Sequence, residues 1–481
     1  MYRTRQYRIS RNHILYDYCR DICRSSAVLY NRANFILRQY SSSVDSMAMF
    51  KPLFPNQMVV YRLVRDSLFG TKYLGDSKWL SYNALDHLLK VTRDKAYYAL
   101  PAQANQQILK LLLRDYKSFF EAVKVYGRNP EAFTGRPRMP GYMPSGSFKT
   151  SVLTNQICRL KDGCLKFPGT RDTLFLGQLP EEVCLKEVRI KPGGNSFVLD
   201  VVLSVPDKGI IPMADKDILA DLSAVEDLKN LRVMAIDPGT DNIAAVVNTF
   251  GARPFVIKGG VIKSINQLYN KEMRRLSSCA MTCNKRYRTR KMKALTEKRN
   301  RRIKDQFHKV SRQLADYARD NHVDIVVMGH NTYQKQEIGI GHVNNQNFVQ
   351  IPMLIFADML RYKLAEYGIR FVLTEESYTS KADYLAKDYI PVYKKNAKDN
   401  PTFSGKRIQR GLYRHYDGTI TNADINGAAN ILRKVFPKVS QWDRGIVDMP
   451  CSAGCVEHPA SSCAMRHNRN PFRRGVGEGS S

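Results

Sequence analysis

Acidic residues in three distant parts of the chain have the types and placements that divalent cations require. Asp237 ends the apolar stretch LRVMAID before a Pro-Gly turn, and Asp424 falls in the first turn of the predicted helix NADINGAANIL. Glu375 and Glu376 end a third stretch, RFVLTEE. Carboxylate oxygens are the ligands that Mg²⁺ and Mn²⁺ prefer. Two such ions about 3.5–4 Å apart activate water and stabilise the leaving oxygen in phosphodiester cleavage, so the pattern predicts a metal-dependent hydrolase.

Each of these acids taken alone has a simpler interpretation. An Asp before Pro-Gly is usually a turn former, and an Asp in a first helical turn is favoured by the helix dipole. A Glu at a strand end is usually solvated. The prediction of a metal site therefore depends on the order and spacing of Asp237, Glu376 and Asp424 together.

The elements around the acids alternate between strands and helices. The predicted strands are LRVMAID, IAAVV, PFVIKGGVIK, VDIVVMG and RFVLTEE; the predicted helices are a long region ending near residue 320, IPMLIFADMLRYKLAEYG and NADINGAANILRKV. Three hairpin-type strands followed by alternating helices and strands predict one mixed sheet. Functional residues of open α/β sheets collect at the carboxyl ends of strands, which is where Asp237 and Glu376 fall.

The N-terminal part of the chain has two different patterns. Residues 1–132 are predicted to be helical, because apolar residues recur at spacings of three and four: Ile108, Leu112, Tyr116, Phe119 and Val123. A loop rich in Pro and Gly, residues 133–147, ends this pattern. Short apolar runs separated by turn residues over 150–205 predict a small antiparallel β-barrel.

The charge balance predicts a polyanionic partner. The 481 residues include 76 Lys and Arg against 44 Asp and Glu, a net charge of +32. Nucleic acid is the first candidate; a membrane surface is second, without an amphipathic anchor or lipidation motif to support it.

The sequence has no apolar run of about 18 residues and no secretory signal at its start. Ten cysteines over this length favour a reducing cytoplasm rather than a disulfide scaffold.

One predicted helix carries much of this charge. Residues 284–312 contain 13 Lys or Arg and two acids, Glu297 and Asp305. Ile303, Phe307 and Val310 repeat at helical spacing, so one face packs on protein and the others are charged. A charge run is usually only a solvated face, but this surplus favours contact with a nucleic-acid backbone, which fixes register without reading sequence.

Seven motifs occur in an order that resembles the TnpB family: MAIDPGTDNIAAVV, GGVIKSINQLYNK, HKVSRQLADYA, NNQNFVQIP, EESYTSK, FSGKRIQRGLY and NADINGAANILRK. TnpB proteins are transposon-encoded, RNA-guided nucleases with a RuvC-like (RNase H-type) domain, and they are relatives of the type V CRISPR effectors. The resemblance extends over about residues 16–437 and is densest over 231–437.

The resemblance implies a multi-domain α/β protein. The expected domains are a helical recognition lobe (1–132), a wedge-like or OB-like β-barrel (133–213), a linker (214–230), a RuvC-like nuclease domain (231–437) with a basic insert (381–421), and a basic, largely disordered tail (438–481). The residues expected to bind nucleic acid are Arg286, Arg288, Arg290, Lys291, Arg299, Arg301, Arg302, Lys406, Arg407 and Arg410.

The second catalytic acid departs from the family pattern. The family usually places it after the apolar strand that reads VVMGHN here, so His330 stands where a glutamate is expected. Some members supply the acid from the next strand end, which is Glu375 or Glu376 in this chain. Because side chains alternate along a strand, only one of the pair should point at the metals; Glu376 is favoured and Glu375 is the reserve.

The second departure concerns zinc. TnpB proteins commonly carry two Cys pairs before the final acid, but residues 378–422 contain no cysteine and a single histidine, His415. A tetrahedral zinc site needs four such ligands, so none is expected there. The segment offers basic residues instead: Lys394, Lys395, Lys406, Arg407 and Arg410. The tail has Cys451, Cys455, His458, Cys463 and His467, whose spacings are unusual for zinc.

The resulting hypothesis is an RNA-guided DNA endonuclease associated with transposition, with Mg²⁺ or Mn²⁺ held by Asp237, Glu376 and Asp424. Its expected partners are a guide RNA and target double-stranded DNA. The protein is expected in the cytoplasm, associated with the nucleoid, and is expected to be prokaryotic or encoded by a mobile element. The guide would read sequence by base pairing.

Two alternatives remain open. His330 motivates a nuclease-inactive, RNA-guided DNA-binding protein that acts as a repressor. The turn Asp-Pro-Gly-Thr motivates an ATPase of the actin/Hsp70 type, although a second Gly-rich phosphate turn is not found and the charge has no role in that interpretation.

Overall fold

The computed structural model describes residues 2–205, 218, 231–284, 287–330, 352–392, 401–409, 411–436 and 455–456. The chain divides into an N-terminal unit, Met1–Asp207, and a C-terminal unit, Lys208–Ser481. Within the described ranges, no helix has both the length and the apolarity needed to cross a bilayer.

The N-terminal unit combines helices with two antiparallel sheets. Its helices are α1 (Tyr16–Ala48), α2 (Pro55–Leu68), α3 (Tyr82–Val91), α4 (Lys95–Tyr98) and α5 (Ala102–Arg128), followed by a 3₁₀ turn, Pro130–Ala132. Its strands are β1 (Tyr2–Ile9), β2 (Ser151–Thr154), β3 (Arg159–Lys161), β4 (Cys164–Lys166), β5 (Thr173–Phe175), β6 (Cys184–Pro192) and β7 (Phe197–Ser204). The sheets have the orders β1-β7-β6-β2 and β3-β4-β5.

Strand β1 corrects the prediction of helix from the start of the chain. It pairs antiparallel with β7 along its whole length, with Tyr2 opposite Ser204 and Ile9 opposite Phe197. Ile9 and Phe197 are buried in the core of this unit. The partner strand lies almost two hundred residues away, so no local periodicity reveals the pairing.

The β-barrel prediction holds only as a set of short antiparallel strands. Among the described residues, the four-stranded sheet ends at β1 on one side and β2 on the other, so it is open rather than closed. Helix α5 buries Ile108, Leu112 and Tyr116 as predicted, whereas Val123, near its end, is 40% exposed because the helix extends beyond the core.

The C-terminal unit contains the predicted mixed sheet. Its strands are β8 (Val233–Asp237), β9 (Asn242–Asn248), β10 (Phe255–Lys258), β11 (Ile325–His330), β12 (Arg370–Glu375), β13 (Lys406–Gln409), β14 (Leu412–Arg414), β15 (Ile420–Asn422) and β16 (Cys455–Val456). Its helices are α6 (Gly260–Asn284), α7 (Arg290–Asp320), α8 (Met353–Ala365) and α9 (Ala423–Val435). The main sheet has the order β12-β11-β8-β9-β10-β16, and β13-β14-β15 form a separate small sheet.

Pairing in the main sheet follows the predicted pattern. Strands β8, β9 and β10 are antiparallel, and β8, β11 and β12 are parallel. The stretch GGVIK, predicted as strand, instead begins α6 at Gly260. Residues 214–230, apart from Ile218, and the tail 438–481 lie outside the described residues, except that β16 pairs parallel with β10.

Side-chain alternation divides the sheet between two cores. Met234, Ile236 and Val326 face the core that contains α7 and α8. Val233, Ala235 and Val372 face the core that contains α9. Because side chains alternate with a period of two, Asp237 and Glu376 share the face covered by α9. The alternation of side chains therefore places Asp237 and Glu376 on the same side of the sheet.

A buried lysine joins α7 to α8. Lys363 is 4% exposed, and its Nζ donates to the carbonyl oxygen of His308 at 2.6 Å and to Ser311 Oγ at 2.7 Å. Burial, together with the nearby Arg312 guanidinium, lowers the pKa of Lys363 to about 8. The charged form is therefore less favourable in the folded chain than in the unfolded one.

We expect Lys363→Met to remove part of the pH dependence of stability. The unfolded chain keeps this lysine protonated up to about pH 10.4, whereas the folded chain releases the proton near pH 8. The unfolding free energy of the wild type should therefore gain on the order of 1–2 kcal/mol, after allowance for solvent screening, as pH rises from 8 to 10. Urea unfolding of both proteins at several pH values measures the difference; equal slopes would contradict it.

Candidate active site

Asp237 lies at the carboxyl end of β8, on the face of the sheet that α9 covers. Gly427 of α9 stands directly opposite, and a Cβ atom added to it would collide with Asp237 Oδ2. A glycine inside a helix costs roughly 1 kcal/mol relative to alanine. The space it leaves is occupied by the Asp237 carboxylate.

Asp424 enters from the first turn of α9. Asn422 caps that helix, since its Oδ1 accepts from the backbone N–H groups of Asp424 at 2.9 Å and Ile425 at 3.3 Å. Asn242, the first residue of β9, donates through Nδ2 to Asp424 Oδ2 at 2.7 Å. Arg407 Nη2 lies 3.7 Å from the other oxygen, Oδ1. One side chain therefore orients the carboxylate and another partly balances its charge.

The two glutamates after β12 have different surroundings. Glu375 pairs with Lys434, whose Nζ is 2.5 Å from Oε2, and accepts from the Ser377 backbone N–H at 2.6 Å. Burial alone would raise the pKa of Glu375, but the hydrogen bonds from Lys434 and Ser377 outweigh it and hold the pKa below its ordinary value. Glu375 is thus engaged in a structural ion pair.

Glu376 lies beside the Asp237 carboxylate. Its Oε2 occupies the space next to Gly329 of β11, where an added Cβ atom would lie 2.7 Å from that oxygen. Its charge is the second largest influence on the pKa of Asp237, after burial. His330, at the end of β11, lies opposite Glu375 in the register. Glu376 therefore acts electrostatically on Asp237, whereas Glu375 is engaged with Lys434.

The electrostatics concentrate negative charge at the end of β8. Residue Asp237 keeps some accessible surface, but its carboxyl group is desolvated. Burial raises its pKa well above the ordinary value, the charges of Glu376 and Asp424 raise it further, and the charge of Arg407 opposes them. A cation bound at this point would relieve the repulsion and favour ionised Asp237.

The oxygen atoms of the three acids are of the kind that hard divalent cations prefer. In the described part of the chain, no group of three or more His, Cys, Asp or Glu side chains is placed so that it could hold a metal ion by itself. Mg²⁺ does not require one, because it keeps several waters and commonly binds through one or two carboxylates together with substrate phosphates. Asp237, Glu376 and Asp424 carry hard carboxylate oxygens, whereas a site for soft metals would need thiolates.

The residues expected to bind nucleic acid differ in their exposure and contacts. Most of those described have exposed side chains: Arg288, Arg290, Lys291, Arg301, Arg302, Lys406 and Arg407. Arg299 differs, because its Nε donates to Asn266 Oδ1 at 2.8 Å and its guanidinium lies 5.6 Å from the centre of the Tyr269 ring. Arg299 therefore holds α7 against α6. Arg286, Arg410, Lys394 and Lys395 lie outside the described residues, as do Cys451, His458, Cys463, His467 and the side chain of Cys455.

Sequence reasoning missed three residues that shape the site: Asn242, Gly329 and Gly427. The two glycines leave a signal in the sequence, since each interrupts a predicted element where alanine would be more stable. Asn242 leaves none, because an Asn after a turn is common.

We expect Gly427→Ala to destabilise the protein, although alanine is the better helix former. Its Cβ atom would displace the Asp237 carboxylate or shift α9, which should cost about 1–3 kcal/mol as overpacking does. Gly127→Ala in α5 is the matched control, because nothing lies within 4 Å of the added atom. Urea unfolding of both variants measures the effect; equal stability of the two would contradict this account of Gly427.

Comparisons with known proteins place these motifs in a family context. A family model described as a probable transposase matches residues 214–334, and one described as a Cas12f1-like TNB domain matches residues 355–431. None of the curated proteins matches the chain.

Several solved structures are similar at low identity. A Cas12f1–sgRNA–target DNA complex is 16% identical over 90% of this chain and 98% of that chain, with a TM-score of 0.29. An AacC2c1–sgRNA–extended non-target DNA complex is 10% identical over 87% and 70%, with a TM-score of 0.31. Alicyclobacillus acidoterrestris C2c1 with single-guide RNA is 11% identical over 83% and 69%, with a TM-score of 0.26. These superpositions are too weak to carry an argument about this fold.

The two family models between them span most of the region in which the motifs are densest. They confirm the resemblance that the motifs carry: over residues 214–334 and 355–431, this chain is similar to the TnpB-type proteins.

Proposed function

We propose that this protein is an RNA-guided DNA endonuclease that hydrolyses phosphodiester bonds with divalent cations at Asp237, Glu376 and Asp424. The observation that carries the proposal is that the Asp237 carboxylate lies against Gly427 of α9, the helix whose first turn holds Asp424, with Glu376 near enough to raise the pKa of Asp237. Such a concentration of like charge is costly unless a cation offsets it. The probable-transposase match supports an activity on DNA.

Each residue of the site has a defined task in this proposal. Asp237 is fixed by the sheet and by Gly427, so it offers its oxygens in one direction. Asn242 holds one oxygen of Asp424 and leaves the other toward Arg407. The bound cation would supply an activated water and charge stabilisation for the leaving oxygen. Arg407 is 45% exposed at its side chain and is placed to meet a phosphate beside the acids.

The charge distribution supports a nucleic-acid partner. The net charge of +32 is concentrated in part on α7, where Arg290, Lys291, Arg301 and Arg302 have exposed side chains. Contacts of this kind bind phosphates without reading bases. Base pairing to a guide RNA would supply the sequence specificity.

A second candidate function is RNA-guided DNA binding without cleavage. His330 favours it, because it stands at the strand end where the family resemblance leads one to expect an acid. A protein of this kind would bind matched DNA and leave it intact.

We expect Asp237→Asn and Glu376→Gln to abolish cleavage and to leave DNA binding in place. The protein is co-purified with its guide RNA and incubated with matched DNA and Mg²⁺ or Mn²⁺. Loss of cation stabilisation worth several kcal/mol corresponds to about a thousandfold or more in rate. Glu375→Gln is the matched control: its carboxylate pairs with Lys434, so this variant should still cleave.

The outcomes separate the two candidate functions. Cleavage by Asp237→Asn at the wild-type rate would show that the acids were assigned wrongly. Tight binding of matched DNA by the wild type, with no cutting in either cation, would instead establish the non-cleaving function.

We expect the double variant Arg301→Gln/Arg302→Gln to weaken RNA binding and to flatten its salt dependence. Each lost phosphate contact should reduce the slope of log affinity against log salt by roughly 0.7–0.9. Arg299→Gln is the control, since its guanidinium is engaged by Asn266. Fluorescence anisotropy at several salt concentrations measures both slopes, and an effect of Arg299→Gln as large as that of the double variant would be contrary to this assignment.

A further inference from the structure

A buried chain of three side chains organises the segment between Glu376 and Asp424. Asp383, His415 and Thr421 are 0%, 2% and 4% exposed. His415 Nδ1 lies 2.6 Å from Asp383 Oδ1, and His415 Nε2 lies 2.7 Å from Thr421 Oγ1. We call these three residues the Asp-His-Thr clasp.

The other contacts of Asp383 determine where the protons lie. Its carboxylate also accepts from the backbone N–H groups of Tyr416 at 2.7 Å and Leu385 at 2.9 Å, so it is satisfied as an anion. His415 therefore donates through Nδ1 to Asp383. His415 Nε2 shares the second hydrogen bond of the clasp with the Thr421 hydroxyl.

The order acid, imidazole, hydroxyl also occurs in hydrolases, where the hydroxyl oxygen attacks the substrate. Thr421 cannot act in this way in the folded chain, because the residue is only 4% exposed and a substrate does not reach its hydroxyl. The clasp is therefore a device that holds chain segments together.

The clasp leads directly to Asp424. Thr421 is the middle residue of β15, and the next residue, Asn422, caps α9 and binds the backbone N–H of Asp424. On the other side of the clasp, Asn426 of α9 donates to the carbonyl oxygen of Ala382 at 2.9 Å and accepts from the N–H of Tyr384 at 3.1 Å. The Asp383 loop is thus tied to α9 both through β15 and directly.

The same cluster positions Arg407. Gly405, two residues before it, packs so closely that an added Cβ atom would lie 2.7 Å from Asp383 Oδ2 and 2.6 Å from Tyr413 Oη. Tyr413 is opposite Arg407 in the β13–β14 register, and its hydroxyl donates to the carbonyl oxygen of Lys381 at 2.8 Å. The clasp therefore contacts the chain segments that carry Asp424 and Arg407.

We propose that Asp383, His415 and Thr421 are positioning residues, which fix Asp424 and Arg407 relative to Asp237 without the help of a structural metal. The inference rests on the proposed function in that Asp424 is taken to be a cation ligand. Residues 378–422 contain no cysteine, and the clasp is complete through its own hydrogen bonds. Partners that orient metal ligands commonly affect metal affinity when they are changed.

The test measures Mn²⁺ affinity of the purified full chain by isothermal titration. We expect Thr421→Val, which replaces the hydroxyl by a methyl group of similar size, to weaken Mn²⁺ binding about tenfold. Thr421→Ser, which keeps the hydroxyl, should restore most of the affinity. Cleavage by Thr421→Val should be lost at low Mn²⁺ and recovered at high Mn²⁺, which loss of fold alone would not produce.

The matched control is Asp86→Asn in the N-terminal unit. Asp86 is also buried and accepts from a buried tyrosine, Tyr97, at 2.6 Å, so its loss should destabilise the protein without changing Mn²⁺ affinity. His415→Gln is a second disruption of the clasp; where it fails to fold, Thr421→Val decides. Wild-type Mn²⁺ affinity in Thr421→Val would overturn the proposal.

Hydrogen exchange keeps the inference separate from the proposed function. If the wild type binds no Mn²⁺, the proposed function fails, and exchange over residues 420–425 then tests the clasp. Faster exchange there in Thr421→Val, with no effect of EDTA on the wild type, supports the clasp. Unchanged exchange in the variant, or loss of protection on treating the wild type with EDTA, would overturn it.

Discussion

The desolvated Asp237 carboxyl lies near the charges of Glu376 and Asp424. The repulsion among these three acids is the constraint on which the rest of the site depends. Burial already raises the pKa of Asp237, and Glu376 and Asp424 raise it further. Glu375, by contrast, is paired with Lys434. Arg407 offsets part of this charge, and the cation proposed above would offset more of it.

The elements that create this arrangement also form the core. Strand β8 buries Val233 and Ala235 on the face that continues to Asp237, and α9 covers that face with Ile425 and Ala428. Helix α9 thus packs the core and delivers Asp424 at the same time. A small shift of α9 would therefore alter both the core packing and the position of the Asp424 carboxylate. The buried hydrogen bonds of Asn426 and Asn430 to Ala382, together with the clasp, hold the helix in place.

Part of the site follows from strand periodicity. Asp237 and Glu376 were predictable because they end apolar stretches and alternation places them on one face; the same rule distinguishes Glu376 from Glu375. The exposed cations of α7, such as Arg301 and Arg302, were predictable from the apolar stripe that leaves the other faces to solvent. These features are local, so a sequence reader can find them.

The remainder depends on contacts between distant residues. Asn242 donates a hydrogen bond to Asp424, and Arg299 donates one to Asn266 on another helix. Strand β1 pairs with β7, which lies almost two hundred residues later. The sequence offers His415 only as a lone candidate zinc ligand, because its partner Asp383 lies 32 residues away. Periodicity and motif spacing carry no information on such pairings.

The most direct test of the account is a crystal structure of the protein soaked with Mn²⁺, with anomalous diffraction used to locate the ions. The account predicts an anomalous peak at the end of β8, in contact with carboxylate oxygens of Asp237 and at least one of Glu376 and Asp424. A fully occupied crystal with peaks only elsewhere, or with the three carboxylates free of any ion at high Mn²⁺, would contradict it.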